Sequence, residues 1–422
     1  MIVKLRRAFN ADFRAPQYVE LLTRLERISG TRIMFRVAET PIFLSGQMLD
    51  EIARAGAALT HRLLAWPESM AGARASIPDG YRVAQETAHP HFLTADFAMI
   101  ENKAGKLEPR LVEIQAFPSV FGFQELAAES YREVYRLPDS LGIFLSGLDR
   151  SSYWNLLRRT IVGTHDPEHV VLTEVDPEHQ KTLPDFLITA RELGITVVDI
   201  AKLEPKGNKL HYRNAAGTLV PVHRIYNRAI ADEMIARKIH LQFDLTKPWD
   251  VEWAGHPNWY FLISKYSIPW LAASPTAESA FVPPAVFLDD FLAGPGRERL
   301  AAAGVALPGN DAPGAIYEDL LLKPLFSFAG KGIQFAPSRL ELESIDPADR
   351  RNYLLQQRMH FVPTIETPHG LTQAEIRILY VWPDGGELTP MMPLVRLGRG
   401  KMMGVDHNRD LEWVGAAAAF WE

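Results

Sequence analysis

The run Leu320-Leu321-Leu322-Lys323-Pro324-Leu325-Phe326-Ser327-Phe328-Ala329-Gly330-Lys331-Gly332-Ile333-Gln334-Phe335 constrains this chain more than any other stretch. Two apolar strands flank a loop of small residues. The first strand delivers Lys323, and the loop holds Lys331 between Gly330 and Gly332. Glycine lets backbone N–H groups turn toward a ligand, and lysine adds a compact point charge. That combination suits phosphate. A Walker loop would need Gly-Lys followed by Ser or Thr and then a helix. Here Gly332 and strand formers follow Lys331, so the expectation is a flap between two strands, laid over phosphates.

A chain of 422 residues has room for two or three domains with ample core. Hydrophobic residues make up 47%, charged residues 23%, and the formal net charge is −6, which argues against a nucleic-acid binder with its basic stripe. With no cysteine, disulfides, thiolate zinc sites and a cysteine nucleophile are excluded, and the compartment is left open. Met1-Ile2-Val3-Lys4-Leu5-Arg6-Arg7 is not followed by an apolar signal core, and no run of about 18 apolar residues occurs. The expectation is a cytoplasmic protein with neither a membrane nor a nucleic acid as partner.

Along the chain, residues 1–90 read mostly as helix. Ser45 can cap a segment in which Met48, Ile52, Ala55, Leu59 and Leu63 recur at helical spacing. Phe92–Ile100 and Leu111–Phe117 read as strands joined by the polar stretch Glu101–Arg110, a long hairpin, and a helix is expected over Gln124–Tyr135. Val170–Thr173, then Gln180–Leu193 closed by Gly194, then Ile195–Ile200 read as strand, helix and strand. Such a βαβ unit implies a parallel sheet with helices on its faces. A hairpin around Asn208–Gly217 and the strand Val222–Tyr226 are expected to extend it. Loops are expected at Ser274–Pro284 and Gly294–Pro313, and strands at Tyr353–Phe361 and Ile376–Val381.

The second informative run is Leu111-Val112-Glu113-Ile114-Gln115-Ala116-Phe117-Pro118-Ser119. Strand side chains alternate, so Glu113 and Gln115 share one face while Val112 and Ile114 take the other. Two oxygen donors side by side suit Mg²⁺, which takes a few protein oxygens and completes its shell with phosphates and water. Asp96, on the partner strand, is placed to supply a third. The plain alternative for each carboxylate alone is a solvated strand face.

These pieces resemble the ATP-grasp ligases: Lys323-Pro324 with its glycine loop, the hinge strand Leu354-Leu355-Gln356-Gln357, Glu375-Ile376-Arg377-Ile378, Asp96, and the Glu113-Ile114-Gln115 strand before a Pro/Ser turn. The likeness is greatest to glutathione synthetase and the synthetase half of glutathionylspermidine enzymes. Ser264-Lys265-Tyr266-Ser267-Ile268-Pro269-Trp270-Leu271 is similar to the segment that carries the first ATP lysine in those families. In ordinary ATP-grasp chains the acidic strands come last; here they precede the βαβ unit. A circular permutation would produce that order, and it is permissible because domain termini lie at the surface, often close together.

The resemblance implies an α/β chain with a circularly permuted ATP-grasp fold. Residues 1–140 would hold a helical segment and the metal-binding hairpin, 141–248 a Rossmann-like substrate domain, and 249–422 the nucleotide-binding subdomains. Lys265 and Lys323 would contact ATP phosphates beneath the flap Gly330-Lys331-Gly332, and Gln356, Gln357 and Met359 would line the adenine pocket. Arg377 and Lys331 would serve catalysis at the γ-phosphate or acyl-phosphate. Asp96, Glu113 and Gln115 would bind one or two Mg²⁺. Arg228, at a strand end, and Arg396 and Arg399, in Met391-Met392-Pro393-Leu394-Val395-Arg396-Leu397-Gly398-Arg399-Gly400-Lys401, would hold substrate. His407 and Asn408 are weaker candidates for a phosphate contact. Position 115 is Gln where the family pattern has Asn, and the hinge has Gln-Gln where many relatives have Glu. The implied activity joins a small carboxylate to an amine through an acyl-phosphate. The alternatives are a small-molecule kinase of the same fold, or a nucleotide-binding regulatory protein without catalysis.

Overall fold

The computed structural model describes the chain except for residues 103, 310, 311, 313, 327–331, 401, 402, 404–407 and 409. The N-terminal part is helical, with α1 (Val3–Asp12), α2 (Ala15–Ser29), α3 (Gly46–Leu64) and α4 (Pro67–Ala75) around the short strand β1 (Ile42–Leu44). The hairpin β2 (Phe92–Glu101) and β3 (Leu107–Gln115) leads to α5 (Phe121–Tyr135) and α6 (Arg150–Ile161). Then come β4 (Val170–Glu174), α7 (Leu183–Leu193), β5 (Thr196–Asp199), β6 (Glu204–Lys206), β7 (Lys209–Arg213), β8 (Leu219–Val222), β9 (Arg224–Asn227), α8 (Ala231–Ala236) and β10 (Glu252–Ala254). Two short helices, α9 (Trp259–Leu262) and α10 (Ser267–Ala272), precede β11 (Ala285–Phe287), α11 (Leu288–Ala293) and α12 (Pro295–Ala302). They are followed by β12 (Leu320–Pro324), β13 (Gln334–Phe335), α13 (Arg339–Ser344) and β14 (Tyr353–Gln357). The last strands are β15 (Ile365–Thr367), β16 (Gly370–Val381), β17 (Thr389–Gly398) and β18 (Gly415–Trp421).

The largest sheet has the order β1-β18-β17-β16-β2-β3, with β15 beside β16. It joins the early hairpin to the C-terminal strands: Arg377 stands opposite Asp96 where β16 pairs antiparallel with β2. Alternation splits its side chains. Leu93, Ala95, Phe97, Ile376 and Ile378 are buried with Leu49, Ile52 and Leu59 of α3. Phe92, Leu379, Met392 and Phe420, on the other face, are buried with Phe121, Leu126 and Tyr131 of α5. Further along that second face lie Asp96, Glu113 and Arg377, and this face carries the charged groups.

The βαβ unit forms as expected, in an all-parallel sheet of order β10-β9-β4-β5. Gly194 closes α7 in the left-handed region at φ 74°, where glycine has no Cβ penalty. The hairpin expected to extend this sheet instead forms a separate sheet, β6-β7-β8, whose Leu210, Tyr212, Val220 and Val222 pack on Val171 and Ile225. The third element that positions the site is the small antiparallel sheet β11-β14-β12-β13.

Four local expectations need correction. Strand pairing runs through much of Glu101–Arg110, because the Asn102 side chain accepts from the Ala104 and Lys106 N–H groups (3.0 Å each) and closes a short turn. The expected loop Gly294–Pro313 begins with α12, since Pro295 at a first-turn position favours a helix and Leu300 buries its one apolar contact face. The strand expected to reach Phe361 stops at Gln357. Ser45 does precede α3, but its hydroxyl makes no capping bond.

Candidate active site

The candidate side chains come from several separate elements, and the fold brings most of them to one region. On the large sheet the register pairs Thr94 with Gln115 and Asp96 with Glu113, so Asp96, Glu113 and Gln115 share a face as the alternation requires. Asp96 is 1% exposed. Its Oδ1 accepts from Arg377 Nε at 2.6 Å and its Oδ2 from Arg377 Nη2 at 2.7 Å. Arg396, on β17, also reaches Asp96 Oδ2 and shares the same Nη2 with Glu375 Oε1. Arg377 Nη1 lies 3.4 Å from Ser119 Oγ, at the turn after β3.

Electrostatics follow from that packing. Burial works against the Asp96 carboxylate, yet Arg377 and Arg396 outweigh it and hold its pKa below the ordinary value. Glu375 shows the opposite balance: burial raises its pKa to about 6, with Arg396 opposing and the Asp96 charge adding to the rise. Burial works against the Arg377 guanidinium too, but Asp96 keeps it firmly protonated.

Lys265 sits in the loop between α9 and α10, pinned by a hydrogen bond from the Ala116 N–H to the Ile263 carbonyl at 2.9 Å. Its Nζ lies 3.8 Å from Glu113 Oε2. Lys323 is buried on β12, facing Leu354 across the small sheet. Burial lowers its pKa to about 8, against the pull of Glu113 and with the push of Lys265. Lys265, Lys323, Glu113, Glu375, Asp96, Arg377 and Arg396 therefore form one charged region between the small sheet and the large one.

On the same face of the small sheet as Lys323, one register step along, lies Gln356. It is fully buried, and both its side-chain oxygen and nitrogen lack a hydrogen-bond partner among the described residues. Gln357 faces the other side, and Met359 is half-buried in the segment after β14. Gly332 takes φ 79°, where a side chain is disfavoured, and a Cβ there would come within 3.1 Å of Pro324. Gly330, Lys331 and His407 lie outside the described residues.

Two arginines expected to hold substrate lie elsewhere or are already engaged. The buried Arg228 guanidinium donates to the carbonyls of Pro118 (3.0 Å) and Ser119 and lies 3.6 Å from Asp185, so it ties the parallel sheet to the turn after β3. Arg399 donates to Thr372 Oγ1 at 3.1 Å and to the Glu412 carbonyl at 2.9 Å, away from the charged region. Asn408 is buried, its Oδ1 accepting from the Arg399 N–H at 3.2 Å.

Sequence reasoning passed over Glu375 as a member of this charged region, although Glu375-Ile376-Arg377 showed both charges on one strand face. It also passed over Tyr260, whose hydroxyl donates to Asp232 at 2.7 Å. Nothing in the local sequence signals that pair, because its partners come together only through the chain fold.

No family model matches the chain, and no curated protein does. Among solved structures, a glutathione synthetase-like effector from Globodera pallida, in its apo form, aligns over 96% of this chain and 96% of its own. The TM-score is 0.55 and the sequence identity 10%, so the likeness is one of fold. A protein from Methylobacillus flagellatus, provisionally described as a gamma-glutamylcysteine synthetase, aligns over 86% and 85% of the two chains at 12% identity, with a TM-score of only 0.34. The chain thus has a mixed α/β fold similar to that of a glutathione synthetase-like protein. Among the described residues, no helix is long and apolar enough to cross a membrane.

Proposed function

We propose that this chain is an ATP- and Mg²⁺-dependent ligase that joins a small carboxylate substrate to an amine, on a circularly permuted ATP-grasp fold. The observation that carries the reading is the convergence of Lys323 from the small sheet, Lys265 from a loop, and Glu113 and Arg377 from the large sheet. Cations from separate elements, gathered in a buried region with one partly exposed carboxylate, match the needs of phosphoryl transfer, which are positioning and charge neutralisation. The position of the early hairpin beside β16 supports the permuted order.

The donor set fits a nucleotide. Lys265 and Lys323 would hold phosphates, and the buried amide of Gln356, whose nitrogen and oxygen have no partner among the described residues, would pair with the edge of a base. Glu113, with a quarter of its side chain exposed, and Gln115 would hold a divalent cation, which when bound would neutralise phosphate charge. Arg396, 24% of whose side chain is exposed, would meet an anionic group of the substrate.

In the reaction proposed, a carboxylate oxygen attacks the γ-phosphorus as the bond to the ADP oxygen breaks, giving an acyl-phosphate. A neutral amine then attacks the carbonyl carbon, phosphate leaves with the bonding pair, and the amine proton passes to solvent. Arg377, fixed by Asp96, would stabilise the charge on the transferred group. The test is ADP release over pairs of carboxylates and amines. Release that requires both members of a pair supports the ligase; release with one partner alone makes the protein a kinase; none across a broad panel leaves a binding protein.

A further inference from the structure

We infer that Asp96 is a positioning residue for Arg377 and Arg396, and that it is not a metal ligand. An ionised carboxylate has about four lone-pair sites. At Asp96, Arg377 takes two through a fork at 2.6 and 2.7 Å, and Arg396 takes a third. The residue is 1% exposed, so water has almost no access to the remaining site. A divalent cation that keeps several waters needs oxygens facing open space. Beside two guanidinium groups it would also meet like charge at short range.

Glu113 also has cations near it, Lys265 and Lys323, but differs in exposure and in how tightly it is held. It stands opposite Asp96 on β3, its side chain is 24% exposed, and its ion pair with Lys265 is loose at 3.8 Å. The cation therefore belongs on the Glu113 and Gln115 side of the hairpin. The Asp96 carboxylate does separate work: it holds Arg377 by Nε and Nη2, which leaves Nη1 directed toward Ser119 and the space beyond. A bidentate hold fixes the guanidinium plane as well as its position. The metal half of this inference rests on the nucleotide reading above, whereas the clamp half stands on the geometry alone.

The experiment is nuclear magnetic resonance of the arginine Nε–Hε groups in the full chain, with the Arg377 signal assigned by its loss in Arg377→Lys. In the free protein this signal should be protected from solvent exchange, and in Asp96→Asn the protection should disappear. Adding Mg²⁺, with or without a non-hydrolysable ATP analogue, should leave the wild-type signal protected. In parallel, Mn²⁺ binding in the presence of the analogue, followed by electron paramagnetic resonance, should be weakened far less in Asp96→Asn than in Glu113→Gln, where the loss should be about tenfold or more. Loss of Arg377 protection on adding metal would overturn the inference. So would a Mn²⁺ defect in Asp96→Asn equal to that of Glu113→Gln. If Asp96→Asn does not fold, the wild-type titration alone decides. If the wild type binds neither analogue nor Mn²⁺, the nucleotide reading fails, and Arg377 protection in the free protein still decides the clamp.

Discussion

Burial strips water from the Lys323 ammonium, and that loss lowers its pKa from 10.5 to about 8; Glu113 resists the shift and Lys265 reinforces it. Between about pH 8 and 10.5 the folded chain then binds fewer protons at this position than the unfolded one. Stability contributed by Lys323 therefore rises with pH across that window. Nucleotide binding has the opposite demand, because phosphate oxygens favour the charged ammonium. At pH 8, MgATP binding should draw in a fraction of a proton. Calorimetric titration in buffers of different ionisation enthalpy would measure it, and Lys323→Met should abolish the uptake. A binding enthalpy independent of buffer would contradict this account of Lys323. The residue also marks what was legible from sequence. A lysine on an apolar strand before a glycine loop stood out, and so did Glu113 and Gln115, since period-two alternation fixes which residues share a face, whereas Arg377 was singled out only by the family resemblance. The bonds of Asp96 did not stand out, because register between β2 and β16 is a property of pairing across distant segments.

Helix α3 shows how one element depends on a single missing methyl. Tyr380 of β16 passes its hydroxyl into the helix and donates to the Ala53 carbonyl at 2.9 Å. A Cβ on Gly56 would stand 2.3 Å from that hydroxyl oxygen and 3.1 Å from the ring carbon that bears it. Gly→Ala inside a helix ordinarily stabilises by roughly 0.5–1 kcal/mol. Here the clash wins, and Gly56→Ala should cost about 1–3 kcal/mol as overpacking does. Removing the hydroxyl should relieve part of it, so the Gly56→Ala, Tyr380→Phe double variant should be less destabilised than the two single losses added together. Denaturant titration of the four proteins would check this, and strict additivity would refute it. The α3 helix was visible from the spacing of Met48, Ile52, Ala55, Leu59 and Leu63, but its packing partner was not. The same limit applied to α12, where Gly294 and Pro295 read as loop punctuation although a proline in the first turn suits a helix.

At the scale of the molecule, two buried arginines, one at the start of β9 and one just after its end, link the parallel sheet to the large one. Arg224 reaches Asp384 on the β16–β17 turn at 2.8 Å, and Arg228 holds the Pro118 and Ser119 carbonyls after β3. Asp185 is fully buried beside Arg228; burial raises its pKa and the guanidinium opposes the rise. Arg228→Met would leave that carboxyl with the Phe123 N–H but without its cationic partner, and breaking a buried pair costs about 3–5 kcal/mol. Thermal melting should show the loss as a large fall in midpoint, whereas an unchanged midpoint would deny Arg228 this linking role. Arg228 was read from sequence as a substrate fork because it follows a strand of a parallel sheet, where ligands often bind. Its position was right, but sequence does not show that a carbonyl pair from a distant turn fills its donors. Strands β4 and β12 were legible for a simpler reason: each carries a contiguous apolar run, Val170–Leu172 and Leu320–Leu322. The central claim is that the charged region between the two sheets binds MgATP. Calorimetric titration of MgATP into the wild type and into Glu113→Ala tests it most directly. The account predicts saturable binding by the wild type and loss of its Mg²⁺-dependent part in the variant. Absence of nucleotide binding by the wild type, or equal Mg²⁺-dependent affinity in both, would contradict it.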